Sequence, residues 1–559
     1  MKCHFLVSAY LCFAVSLPGQ TQVDRLLDRI VAQEHELLTM LGQQSPIVET
    51  YIQVQDTGDA AGANSFSPIS KDLYFLGRMN LTGDVTYQPL IDQEETKRSS
   101  RLPWKWEIGK SKELVFLPRG FAQMAVIDAQ TFDRKTYQFE YVRREFLGEV
   151  RCLVFDVAPL DRSVRGKFVG RIWVEDADFH VVRFNGIYTD PLNERPRSAS
   201  PEQYFHFDSW RTNVSPGVWM PAQIYVEESD LSAASGKSKA AKVPFKAQTR
   251  LWGYDVGATP KLDELTNILL DKDSGVADRS AGKDLSPLES QRSWERQAEE
   301  NIIDRLERGG LLAPPGPVDD VLNTVINNLM VMNKLNLDVK CRLLLTTPLE
   351  TFSIGQTIVV SRGLVDVLPD ESSLAVVLAG ELAHIALGHR TNTQFAFHNQ
   401  TMGSDGEILR RFRFARSEIE TEAASKKSVE LIRNSPYQKL GNAGLFLKAL
   451  GARGPSLPHL IHANFGNRLT GDASLGLAEF VNQAPPLEEE KLEQIAALPL
   501  GSRIKLNPWN NSVILLASKP TALLAAREKM PFEVTPFQLH LTRVDEAAKP
   551  DVAQKTAKN

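Results

Sequence analysis

Between about Pro46 and Val256 the chain is written in short runs whose apolar residues recur at every second position: Tyr137, Phe139 and Tyr141; Leu153, Phe155 and Val157; Val169 and Trp173 around Arg171; then Val181 to Tyr188. A period of two sends successive side chains to opposite faces, which a strand satisfies and a helix of 3.6 residues per turn does not. Turn clusters separate the runs, among them Glu175-Asp176-Ala177-Asp178 and Asn213-Val214-Ser215-Pro216-Gly217. Short alternating strands joined by tight turns predict an antiparallel meander forming one large twisted sheet or half-barrel. The rings of Tyr204, Phe205, Phe207, Trp210, Trp219 and Trp252 are expected to fill its core; lining a cavity for a hydrophobic ligand is the other reading.

The remainder has a different texture, and the chain is expected to be an α+β multidomain protein. Residues 1–21 have the order of a secretory signal peptide, with Lys2, an apolar run from Phe5 to Leu17, then Pro18-Gly19-Gln20-Thr21. Residues 22–45 carry apolar positions at helical spacing and form an amphipathic helix. The β-rich region, 46–256, is followed by a charged linker, 257–316, with one helix from Ser293 to Arg308. A mainly helical domain is expected over 317–470, with strands at Arg342–Thr346 and Thr357–Ser361. A C-terminal region over 471–544 carries a β-hairpin near 503–516, and 545–559 is a polar tail expected to be disordered.

The formal charge of −5, from 64 basic and 69 acidic residues among 559, includes no dense basic tract. Nucleic acid is excluded as an implied partner, and a protein or peptide segment is favoured. After signal removal no stretch approaches the ~20 apolar residues of a transmembrane anchor. The placement implied is secreted, in the periplasm or the exterior. Cys152 and Cys341 lack metal-ligand spacing and are either one disulfide or two buried thiols.

Residues 380–389 read Gly-Glu-Leu-Ala-His-Ile-Ala-Leu-Gly-His. In an HExxH helix two histidines four residues apart reach one zinc ion, and the glutamate beside the first is the general base for metal-bound water. Here Glu381 fits the base and His384 the second ligand, while Gly380 stands where the first histidine should be. Asp370 fits the N-cap of this helix. His389, five residues beyond His384, would point about 140° away on a continuing helix and miss the metal. His398, His459 and His462 are too distant in sequence to place.

Ile358-Val359-Val360-Ser361-Arg362-Gly363-Leu364, then Pro369-Asp370-Glu371, then the motif resemble, over about Val318 to Leu450, the zinc peptidase family that includes the CAAX prenyl endopeptidases and periplasmic quality-control proteases. The resemblance favours the periplasm as the placement, and it implies a later helix with Glu-x-x-Ala-Asp, its glutamate the third ligand and its aspartate a supporting group. The segment here is Glu418 to Ser428, in two possible registers. In the preferred one, Thr421 replaces the glutamate and Ser425 the aspartate, with Ser428 as the small residue three further on; in the other, Glu420 keeps the ligand and Ala424 loses the aspartate. The strand Thr357, Ile358, Val359, Val360 and Ser361 is expected to border a substrate cleft. The β-rich region is also similar in pattern to the open half-barrels of periplasmic lipoprotein carriers.

Three functional readings follow. The first is a catalytically inactive metallopeptidase homologue that binds or scaffolds protein in the cell envelope and needs no cofactor. The second is an active zinc metalloendopeptidase with an altered ligand set; the third is a hydrophobic-ligand carrier.

Overall fold

The computed structural model describes residues 18–55, 69–80, 86–91, 116, 118, 120–161, 163–189, 205–228, 245–255, 286–397, 405–438, 441–470, 477–488, 504–506, 513–515, 532–536 and 538–544. Residues 1–17, Tyr204, His398 and the tail 545–559 lie outside these. The expected amphipathic helix is α1, Pro18–Leu41, displaced by about a turn toward the N-terminus from 22–45.

The meander is a ten-stranded, wholly antiparallel sheet. Its strands are β1 (Ile47–Gln55), β2 (Ile69–Met79), β3 (Tyr87–Pro89), β4 (Tyr137–Leu147), β5 (Val150–Pro159), β6 (Phe168–Glu175), β7 (Val181–Tyr188), β8 (Phe205–Ser215), β9 (Val218–Glu228) and β10 (Phe245–Trp252). The spatial order is β3-β2-β1-β10-β9-β8-β7-β6-β5-β4. One face holds an aromatic core in which Phe168, Phe184, Phe207 and Phe245 are buried, covered by Leu27, Ile30, Leu37 and Leu41 of α1. A buried ion pair fastens α1 there: Arg211 Nη2 donates to Glu34 Oε2 at 2.9 Å. Trp210, Trp219 and Trp252 are buried in the cores as well.

The opposite face behaves differently along its length. At β1, β2 and β10 it packs against the C-terminal half, so that Ile47, Tyr51, Tyr74, Leu76 and Trp252 share a core with Leu312, Val318 and Leu322. Residues from Ile47 to Gln53 are consequently all buried. At β4–β6 the same face holds a smaller core of Leu147, Val150, Cys152, Val154 and Trp173, and the segment 539–544 returns to it, Leu541 joining that core and Arg543 donating to Glu175 at 2.5 Å.

The C-terminal half is helical around a small mixed sheet. Its helices include α2 (Pro287–Arg308), α3 (Pro317–Met332), α4 (Arg362–Val367), α5 (Glu371–Ala386), α6 (Asp405–Leu409), α7 (Glu418–Arg433), α8 (Gly441–Arg453), α9 (Pro458–Ile461) and α10 (Ala478–Gln483). The sheet joins β11 (Lys340–Leu344), β12 (Glu350–Ile354), β13 (Thr357–Ser361) and β14 (Asn467–Arg468) in the order β11-β13-β12-β14. α2 begins six residues before the expected Ser293 because Ser286 and Glu289 form a capping box with Pro287 in the first turn. The expected hairpin is β15 (Ile504–Leu506) against β16 (Val513–Leu515). Cys152 and Cys341 are free, buried thiols in separate cores, each pushed up to about 12 by burial.

Two buried carboxylates of the large sheet join the halves. Glu49 accepts the Thr347 N–H at 2.6 Å, the Thr347 hydroxyl at 2.8 Å and the Tyr74 hydroxyl at 2.8 Å. Asp72 accepts the backbone N–H groups of His459 at 3.0 Å and Leu460 at 2.9 Å, with His459 Nδ1 at 2.9 Å and the Tyr51 hydroxyl at 3.0 Å. Asp72 thus caps the first turn of α9 from another part of the fold, satisfying donors the helix itself leaves unpaired.

Asp72→Ala leaves those donors buried and unpaired and is expected to cost about 3–5 kcal/mol in urea unfolding; wild-type stability in that variant would refute the capping role. A second expectation concerns acid. Burial opposes ionisation of Asp128, but Lys167, the Gln130 and Thr131 N–H groups and the Tyr137 hydroxyl bring its carboxyl down to about 2. A folded pKa below the unfolded ~3.9 contributes stability that is present above about pH 4 and lost as pH falls through 2. Asp128→Asn should remove that part of the acid dependence between pH 4 and 2; an unchanged acid limb would contradict it.

Candidate functional site

The motif sits on α5, which is apolar nearly all round: Leu374 to Ala379, Leu382 and Ala383 are buried. Such a helix belongs at the centre of a domain. Its start is as expected, the Asp370 carboxylate accepting the Ser373 N–H at 2.8 Å. Glu381 and His384 are both fully buried. Among the described residues Nε2 of His384 has no hydrogen-bond partner, and the Glu381 carboxyl has none beyond the Ser353 hydroxyl.

The helix ends earlier than the argument about His389 required. Gly388 adopts φ +72°, its N–H donates to the Ile385 carbonyl at 3.0 Å, and the His389 N–H donates to the His384 carbonyl at 3.1 Å. This is a Schellman closure, which needs a left-handed residue and so favours glycine. It folds the chain back, and His389 Nδ1 lies 2.8 Å from His384 Nδ1. The expectation that His389 points away from the site is therefore corrected: the 140° offset holds only on a continuing helix. One ring donates to the other, with the tautomers fixed by that bond.

The segment carrying the two registers is the start of α7. Ser417 is its N-cap, and Glu420 closes a capping box: Glu420 Oε2 accepts the Ser417 N–H at 3.1 Å and hydroxyl at 2.8 Å. The Thr421 hydroxyl donates to the Ser417 carbonyl at 2.9 Å. Ser428 is buried and donates to the Ser425 carbonyl at 2.8 Å. Glu422 is drawn outward by Lys426 at 2.8 Å. Of these groups it is the Glu420 carboxylate whose charge reaches both His384 and His389. His459 and His462 lie elsewhere, on Asp72 and on Arg468 respectively.

The strand Thr357–Ser361 does not border an open cleft by its backbone. β13 pairs in parallel with β11 and antiparallel with β12, so both its edges are used. The outer strand is β12, which β14 covers only at Glu350 and Thr351.

Sequence reasoning passed over Arg416, Ser353 and Asn467. Arg416 Nη2 donates to the Ser353 hydroxyl at 3.0 Å and carbonyl at 3.3 Å, and Nη1 to the Arg390 carbonyl at 2.6 Å. Its position just ahead of a Ser417–Glu420 capping box was the available signal. Burial pushes the Glu381 carboxyl up to about 7, against the lowering influence of the Arg416 charge and the Ser353 hydroxyl. Burial first, then Arg416 and His389, bring His384 down to about 3. Burial works against ionisation of Glu420, but Ser417, His389 and Arg416 hold it below the usual range.

A zinc ion asks for three protein donors around one point. Gly380 supplies none, Thr421 and Glu420 are turned to Ser417, and among the described residues no three His, Cys, Asp or Glu side chains converge as a metal site. The donor set does not fit a closed zinc centre.

The model of Peptidase family M48 matches residues 350–419, from β12 through the motif helix to the first turn of α7. Among solved structures, a putative outer membrane lipoprotein-sorting protein domain from Vibrio parahaemolyticus is 10% identical, covering 41% of this chain and 92% of that one at a TM-score of 0.19. No curated protein matches the chain. The stretch that carries the candidate site is thus similar to the metallopeptidases of family M48.

Proposed function

We propose that the chain is a catalytically inactive relative of the M48 metallopeptidases that binds a protein or peptide segment in the cell envelope. The observation that carries this reading is the donor set: Gly380 has no side chain to offer, and the nearest candidate for the third ligand, Glu420, is committed to the cap of its own helix. Releasing Glu420 toward a metal would open a capping box worth about 1 kcal/mol and still leave the first ligand missing. The secretory segment at residues 1–21 supports a secreted, periplasmic placement, and no helix among the described residues is long and apolar enough to cross a membrane.

One observation favours a second reading, a zinc endopeptidase with an altered ligand set. Nε2 of His384, buried and without a hydrogen-bond partner among the described residues, is a group that usually finds one, and zinc would supply it. There Glu381 would act as general base and His384 as ligand. The carrier reading loses its main support, because Phe207, Trp210, Trp219 and Trp252 are buried in the packed cores.

Metal analysis of protein purified without chelator is expected to find zinc well below one equivalent, and protease assays no cleavage that Glu381→Gln abolishes. One tightly bound equivalent, together with activity lost in Glu381→Gln, would establish the second reading instead.

A further inference from the structure

The positive charge at this site comes from the chain itself. Arg416 precedes the N-cap of α7, and its backbone N–H donates to Asn467 Oδ1 at 2.9 Å, so its position is set by both α7 and β14. From there the guanidinium spans two further elements. Nη2 lies on the hydroxyl and carbonyl of Ser353, on the part of β12 that β14 does not reach. Nη1 lies on the carbonyl of Arg390, in the turn that Gly388 creates after α5. Its charge acts on Glu381, His384, His389 and Glu420 together.

We propose that Arg416 is the resident cation of the motif site and a clamp over the outer edge of β12, tying that edge to the end of α5 and the start of α7. This rests on the reading that the unaltered site holds no zinc. A guanidinium fixed on Ser353 and the Arg390 carbonyl, its charge reaching all four side chains, repels a divalent ion and occupies the Ser353 carbonyl, one of the acceptors an added strand would need. Arginine suits the position because its planar fork bridges two carbonyls and a hydroxyl at once, which a single ammonium cannot do.

The test uses the full chain with Arg416→Met, which removes charge and fork, and Arg416→Lys, which keeps the charge alone. With chelator present, amide hydrogen exchange at 352–354 and 388–391 is expected to accelerate at least tenfold in both variants, since both lose the bridge. In zinc titrations, Arg416→Met is expected to bind at least tenfold more tightly than the unaltered chain, and Arg416→Lys no more tightly. Unchanged exchange in both variants would overturn the clamp, and equal zinc affinity in Arg416→Met and the unaltered chain would overturn the resident cation. One tight equivalent of zinc in the unaltered chain would instead overturn the underlying reading, a result the exchange data do not depend on. Should Arg416→Met not fold, Arg416→Gln takes its place in the titration and Arg416→Lys carries the exchange comparison.

Discussion

The buried carboxylates of Glu49 and Asp72 are the joint on which the two halves of the molecule depend. Each leaves water and accepts three or four donors, including backbone N–H groups of the C-terminal half. Buried charge is tolerated only when it is hydrogen-bonded, so the loop at 347 and the first turn of α9 are held wherever the sheet places those oxygens. Inside the C-terminal half one oxygen of Glu350 accepts the N–H groups of Asn464 and Phe465 at 2.9 Å each, while burial pushes its carboxyl up to about 7. Since Glu350 begins β12, the same network fixes the strand beside the motif helix.

That rigidity supports the proposed loss of the metal site. A flexible site could recruit a distant donor in place of the missing histidine. Here α5 is buried along most of its length, Glu420, the ligand of the alternative register, closes the cap of α7, and Arg416 ties Ser353 to the Arg390 carbonyl. The site then holds the hydrogen-bonded pair His384 and His389, the buried Glu381, the capping Glu420 and the Arg416 guanidinium nearby.

Much of this was legible from residues alone where local chemistry decides. Asp370 marked the start of α5, Thr357–Ser361 is β13 to the residue, and the alternation at 137–188 is β4 to β7. What could not be read depends on who packs against whom. β1, β2 and β10 are buried on both faces, which erases the alternation that reveals a strand. Their buried Glu49 and Asp72 look like surface residues until the loops they bind are known. His389 was misplaced for a local reason, since Gly388 before it signalled the end of the helix. Arg416 looked like one more basic residue because its partners, Ser353 and Arg390, lie 63 and 26 positions away.

The central claim is that His384 faces the chain's own cation and not a metal. It is tested most directly by nitrogen NMR of ring-labelled histidine in the full chain, with the His384 signals assigned through His384→Gln, before and after one equivalent of zinc. The account predicts that the His384 ring nitrogens keep the shifts of a neutral imidazole hydrogen-bonded to His389. A zinc-dependent shift of His384 Nε2 to the position of a metal ligand would contradict it.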